Sequence, residues 1–410
     1  MIKTAIVVCP GAETPEAGLL GVRVAGLPLV TRVLLTAQQA GVGRFVVVAS
    51  GPQQGVLRPQ IEEDHRLQGR VRWIDACEPP PTSADSLLLL PSVVLEAGAL
   101  RRWLERDAGG GWLVATEGAT GPLIVPAPHL PACIKAAQEG LSGLAGLLAK
   151  LGGRGEVIHI PWDGAPQRPI RSAGDVPGVE GAMLEALGSP DDGPILDRFV
   201  NRRLSGWLTR RLVRCRVSPN QITAASLFTG LLGAWLLGRE GALASLAGLL
   251  LFQLSVVLDH SDGELARLTF RFSRLGKWLD NFSDHAVGLA VIACVAWRVA
   301  AEGGAGRVAL LGILAAVGVT GSFLVVFWWT VAREGRTAPA GVGGRRGLAS
   351  MANRDGFCLA LWAAVLLGRP IWFLWVLALG SNAYWLAWLL IYGYPGKKDG
   401  QGTCAGRGVV

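Results

Sequence analysis

The sequence predicts two structural classes in one chain. Residues 1–190 form an α/β domain with a mostly parallel sheet, and residues 217–396 form an all-α transmembrane domain of six helices. Three observations carry this. Half of the 410 residues are hydrophobic and only 17% are charged, which excludes a disordered chain. The apolar residues follow two patterns, short β-branched runs in the first half and long uncharged runs in the second. The arginines are spread unevenly between the long runs, as they are around membrane spans.

The chain opens MIKTAIVVCPG, an apolar run ended at once by Pro10 and Gly11, which lacks the form of a signal peptide. Seven cysteines are scattered without a C-x-x-C pair, so a disulfide framework and a zinc ribbon are excluded. Aliphatic runs at residues 4–9, 45–49, 71–74, 87–95, 112–116, 123–125 and 157–160 read as strands. Helical patterns at 29–40 and 131–151 separate some of them, and strand–helix alternation gives a parallel sheet. Residues 152–192 are rich in Gly, Pro and Asp and read as irregular chain and linker.

Residues 195–216 change character. Leu196, Val200, Leu204, Leu208 and Leu212 recur every fourth position, while Arg198, Arg202, Arg203, Arg210, Arg211 and Arg214 lie largely elsewhere around the helix. This is a basic amphipathic helix suited to a membrane surface. Ser218-Pro219 then starts a helix. Runs at 217–238, 241–258, 281–299, 308–332, 356–368 and 370–396 give six spans, the fifth being short.

The connection after the second span carries Arg267, Arg271, Arg274 and Lys277. The connection after the fourth carries Arg333, Arg336, Arg345, Arg346 and Arg354. The other side has only Arg239, Arg298 or Arg307, and Arg369. Both richer connections, the N-terminal domain and the tail at 397–410 with Lys397 and Lys398 are therefore expected in the cytoplasm. The net charge of +8 thereby has a topological explanation, and no nucleic-acid partner is expected.

The chemistry concentrates in LDHSDGELARLTFRFSRLGKWLDNFSDH, residues 258–285. Asp259 and Asp262 share one helix face, and Asp280 and Asp284 share another. Carboxylates near a membrane core are functional candidates, and four of them together need counter-charge. Divalent magnesium, manganese or calcium suits oxygen donors. Gly263 and Ala266 leave room for a planar group, and Arg267 offers a fork for phosphate oxygens. Arg345 and Arg346 are expected to act as orientation signals, and His260 and His285 to line a polar site.

This segment resembles the signature of the CDP-alcohol phosphatidyltransferase family, D-x2-D-G-x2-A-R-x8-G-x3-D-x3-D, met here by Asp259, Asp262, Gly263, Ala266, Arg267, Gly276, Asp280 and Asp284. Pro219, Asn220 and Thr223 resemble the family's P-N-x-x-T element. The resemblance implies an integral-membrane, multi-pass enzyme of phospholipid-type biosynthesis in a bacterial or archaeal cytoplasmic membrane, expected to be a homodimer. It implies transfer of a substituted phosphoryl group from a CDP-alcohol to an acceptor hydroxyl, with release of CMP and with Mg2+ or Mn2+ in a two-metal site. Asp259, Asp262 and Asp280 would be ligands. Asp284 would be the general base and would also touch a metal. Gly263, Ala266, Arg267, Asn220 and Thr223 would contact the nucleotide.

The stretch Val24-Ala25-Gly26-Leu27-Pro28-Leu29 resembles the opening of sugar-nucleotide transferases of the NTP-transferase type. That resemblance implies a nucleotidyltransferase-like fold, but the family's glycine loop appears as Val8-Cys9-Pro10-Gly11-Ala12-Glu13. Its phosphate-binding Lys falls near Leu19 and its metal Asp near Ser92, so the domain is expected to be degenerate, with Arg23 the one candidate replacement. The alternative is a bifunctional cytidylyltransferase and CDP-inositol-type phosphotransferase. An ion-coupled transporter is a more remote alternative, because its carboxylates would be spread through the membrane depth.

Overall fold

The computed structural model describes residues 2–75, 78, 84–106, 113–115, 121–163, 168–187, 200–215, 217–332 and 354–392. The chain divides into two compact units. The first comprises Met1–Ser189 with Arg210–Cys215 and Arg267–Arg271, and the second holds the remainder.

In the first unit the strands are β1 (Thr4–Val8), β2 (Arg23–Val24), β3 (Leu27–Pro28), β4 (Arg44–Val48), β5 (Val71–Ile74), β6 (Ser86–Leu89), β7 (Val93–Val94), β8 (Leu113–Ala115), β9 (Leu123–Val125), β10 (Val157–His159) and β11 (Arg168–Pro169). Seven form one sheet in the order β10-β8-β9-β6-β1-β4-β5. Only β9 runs against its neighbours, so the sheet is mostly parallel as expected. Ala5 at the centre is aligned with Phe45 on one side and Leu87 on the other. The central strands are continuous buried aliphatic runs, the pattern of a strand covered on both faces.

The helices are α1 (Leu29–Gln39), α2 (Gly51–Glu62), α3 (Ala97–Glu105), α4 (Leu130–Gln138), α5 (Gly140–Gly152) and α6 (Val176–Leu187). Three expectations are corrected. The helix expected over 131–151 is two helices, broken at Gly140, whose φ is +83° and where a Cβ would lie 2.8 Å from a Glu16 carboxylate oxygen. The strand expected over 87–95 ends at Leu89. The irregular stretch at 152–192 contains α6, because burial of Val179 and Leu184 outweighs the unfavourable Gly and Pro content.

The two-residue turn between β2 and β3 has positive φ at both Ala25 and Gly26, the geometry that suits the strand twist of a tight hairpin. Arg32 on α1 is fully buried and donates to the carbonyl of Val24 at 2.8 and 3.1 Å. Burial pushes its guanidinium down to about 10.

The second unit is helical. After α7 (Arg202–Leu212) come α8 (Pro219–Leu237), α9 (Ala242–Thr269), α10 (Arg274–Ala301), α11 (Ala305–Ala332), α12 (Arg354–Leu366) and α13 (Pro370–Tyr392). Among the described residues, four helices are long and apolar enough to cross a membrane: Ala242–Thr269, Trp278–Ala301, Ala305–Val325 and Pro370–Leu390. The 19-residue α8 and the 13-residue α12 complete the six helices. Gly233 and Gly248 bring α8 and α9 together, since a Cβ on either would stand within 2.9 Å of the other helix's backbone.

The stripe around α7 has an unusual sense. On it and on the two residues that lead into it, the polar Asn201, Ser205 and Thr209 are fully buried, whereas Val200, Leu204 and Trp207 are exposed. A soluble helix does the reverse. Leu196, Arg198, Arg345, Arg346, Lys397 and Lys398 lie outside the described residues.

Candidate metal and nucleotide site

Asp259 and Asp262 stand one turn apart on α9, and Asp280 and Asp284 one turn apart on α10. Carboxylate oxygens of Asp259, Asp262 and Asp280 all lie within 4.8 Å of one another. Asp259 and Asp262 are buried, and Asp280 is half-buried. Three anions at that spacing repel strongly unless a cation lies among them, and oxygen donors suit Mg2+ or Mn2+. The residues therefore fit the expected metal. Asp284 is half-buried and stands one turn farther along α10, outside this group of three.

Helix α8 supports the group. It starts at Ser218, whose hydroxyl accepts from the Gln221 amide while the Gln221 side chain accepts from the Ser218 amide, so both ends of the cap are satisfied. One turn on, the buried Thr223 donates its hydroxyl to Oδ2 of Asp262. Ser226 donates to the Ser255 carbonyl at 2.8 Å and fastens the same two helices one turn farther in.

Asn220 is exposed, and its Oδ1 lies 3.1 Å from where a Cβ on Gly276 would be. The Gly276 amide donates to Ser273 Oγ, which caps α10. A side chain at Gly276 would displace the Ser273 hydroxyl that caps α10, 2.8 Å from its Cβ, and would crowd Asn220. The structure thus brings the P-N-x-x-T element against the aspartate motif at two points, Thr223 on Asp262 and Asn220 beside Gly276. Gly263 and Ala266 are half-buried and Arg267 is exposed. His285 does not stand alone: its Nε2 is 3.3 Å from the Thr320 hydroxyl, and its ring stacks on Phe323 at 4.6 Å. His260 is half-buried on α9.

Sequence reasoning missed Glu264, a variable position within the motif. Its two carboxylate oxygens accept from Ser205 at 2.8 Å and from Thr209 at 2.7 Å. Three turns earlier on α9, Gln253 donates to Asn201 at 2.5 Å and accepts from Trp362 at 2.9 Å. The available signal was the i, i+4 spacing of small polar residues on an otherwise basic and apolar helix.

In the first unit the loop after β1 is internally engaged. The Gly11 amide donates to the Gln138 carbonyl at 2.7 Å, and the Gly11 carbonyl accepts from Thr14 Oγ1 at 2.7 Å. Gln53 donates to the Pro10 carbonyl at 2.7 Å. Leu19 and Ser92 are buried, and Arg23 is exposed with its guanidinium on the Gly26 carbonyl at 3.2 Å.

Residues 216–392 match the CDP-alcohol phosphatidyltransferase family. The C-terminal part of this chain is a CDP-alcohol phosphatidyltransferase domain. The phosphatidyltransferase domain and its four long apolar helices make the chain an integral membrane protein. The chain is 37% identical over 139 residues to a bifunctional IPC transferase and DIPP synthase of Thermococcus kodakarensis, covering 33% of this chain and 30% of that one. A protein of the same name from Aquifex aeolicus is 24% identical over 347 residues, covering 72% of this chain and 77% of that one. The chain thus spans less than a third of the Thermococcus relative and about three quarters of the Aquifex one. The inositol-1-phosphate CTP transferase from T. maritima superposes with a TM-score of 0.34 at 18% identity, over 46% of this chain and 97% of that one.

Proposed function

We propose that this chain is a membrane-bound CDP-alcohol phosphotransferase that moves a substituted phosphoryl group from a CDP-alcohol to an acceptor hydroxyl and releases CMP. The observation that carries the reading is the convergence of Asp259, Asp262 and Asp280 from two neighbouring helices within a matched family domain. Those three carboxylates would hold Mg2+ or Mn2+ in a two-metal site, and Asp284 would touch one of the metals from its edge. Such a cation, when bound, supplies charge neutralisation for the diphosphate and the departing CMP. Thr223 fixes one oxygen of Asp262, so that the other is presented inward. Asp284 takes the proton from the acceptor hydroxyl; a carboxylate near cations is a weak base, so it acts chiefly by position. Gly263, Ala266 and Arg267 contact the nucleotide, and Asn220 borders it.

The enzyme works from the cytoplasmic side of a bacterial or archaeal membrane as a six-span homodimer, with both termini and the site on the arginine-rich side. The outward Val200, Leu204 and Trp207 of α7 rest at the bilayer surface. The paired activities in its relatives' names favour an inositol-type CDP-alcohol as donor. They also favour a second reading, in which the α/β unit makes that donor. The engaged Gly11 amide speaks against it, because that backbone group is taken where a triphosphate would need it. The deciding experiment is CMP release by the purified full chain, with Mg2+ or Mn2+, from a panel of CDP-alcohols and acceptors. Release that depends on one donor supports the proposal, and its absence with every donor refutes it.

A further inference from the structure

Helix α9 must hold Asp259 and Asp262 still, and its contacts with α8 at Gly248, Ser255 and Asp262 recur every seven residues and so brace it along a single face. At about 100° per residue, the eleven residues from Gln253 to Glu264 bring the helix back to within roughly 20° of the same face. Asp262 is about 200° from Glu264, on the opposite side. Gln253 and Glu264 are both hydrogen-bonded to the buried polar stripe of α7, through Asn201 for the first and through Ser205 and Thr209 for the second. These contacts bracket the aspartates along the helix, one before Asp259 and one after Asp262.

The stripe is costly where it is. Buried hydroxyls and a half-buried carboxylate lose hydration, and apolar side chains would pack there at less expense. What polar pairs add is register, because a shifted helix would leave them unsatisfied. The need for register is quantitative. A carboxylate about 6 Å from the helix axis moves roughly 2 Å when the helix turns by about 20°. Metal–oxygen distances tolerate only about 0.2 Å.

We propose that α7 is a splint for the aspartate-bearing stretch of α9, and that Glu264 is a positioning residue for the metal site. This rests on the reading that Asp259, Asp262 and Asp280 hold a divalent cation. The splint acts through hydrogen bonds, and the charge of Glu264 is incidental to it.

The test is Mn2+ titration of the full-length protein in lipid nanodiscs, followed by electron paramagnetic resonance, with thermal unfolding measured alongside. Glu264→Ala is expected to weaken Mn2+ binding roughly tenfold, at the lower end of what loss of a supporting contact costs a metal site. Glu264→Gln, which can still accept one hydroxyl and donate to the other, is expected to stay within about twofold of the unmutated protein. The pair Ser205→Ala with Thr209→Val is expected to reproduce the Glu264→Ala loss, and all three together to add nothing further. That hydroxyl pair carries the test should Glu264→Ala fail to fold. Unchanged Mn2+ affinity in both Glu264→Ala and the hydroxyl pair overturns the splint. So does a Glu264→Gln loss as large as that of Ala, which would make the charge the active feature. Absence of Mn2+ binding by the unmutated chain refutes the metal reading itself and the splint with it.

Discussion

Thr223 donates its hydroxyl to Asp262 Oδ2 and so joins the first helix of the phosphatidyltransferase domain to a carboxylate of the proposed metal site. The residue thereby reaches the site through the aspartate it orients. Thr223→Val keeps the shape and removes the donor. Mn2+ affinity is expected to fall roughly tenfold, as for other supporting contacts of metal ligands. Thr223→Ser is expected to restore it. Equal affinity in the Val and unmutated proteins would remove Thr223 from the support of the site.

The four aspartates separate into two kinds. Asp259→Asn, Asp262→Asn and Asp280→Asn each remove a charge from the group within 4.8 Å, and are expected to lower metal and CDP-alcohol binding together by at least about tenfold. Asp284→Asn, outside that group, is expected to leave CDP-alcohol binding within a few fold and to lower turnover by about a hundredfold or more. Calorimetric binding of a CDP-alcohol, set beside CMP release, distinguishes the two.

The full chain supplied with CTP and inositol 1-phosphate is expected to release no pyrophosphate above the level without protein. The Gly11 amide is held by Gln138, and Leu19 offers no charge to the two anions that nucleotidyl transfer brings together. Phosphate detection after pyrophosphatase treatment is the measurement. Release that is lost on Arg23→Ala would show that an arginine had replaced the missing lysine and that the chain makes its own donor.

Cysteine reactivity reports both packing and orientation. Burial pushes the thiols of Cys9 and Cys133 up to about 12, so at pH 8 roughly one in ten thousand is thiolate. They are expected to resist a charged maleimide until the α/β unit unfolds, while the exposed Cys215 is expected to react within minutes. Cys215 lies just before α8, on the side read as cytoplasmic. In intact cells an impermeant reagent is therefore expected to leave it unlabelled, with mass spectrometry as the readout, and labelling from outside would reverse the topology.

Residue types and spacings in the sequence were enough to place the α/β unit, the membrane helices and the four aspartates. Parallel central strands must be aliphatic throughout, spans must be long and uncharged, and carboxylates one helical turn apart must share a face. These are local rules, satisfied within one element at a time. Local spacing also located the amphipathic helix at 195–216, with its apolar stripe and its arginines. Only the tertiary structure decided which side of α7 packs inward, because inside the domain Ser205 and Thr209 have Glu264 as a partner whereas the leucine stripe has none as exacting. The break at Gly140 had a local cause, a glycine with positive φ, whereas the helix at 176–187 was settled by a core that rewards burial of Val179. The closeness of Thr223 to Asp262, 39 positions apart, follows from two helices meeting at glycines, a contact that no single helix specifies.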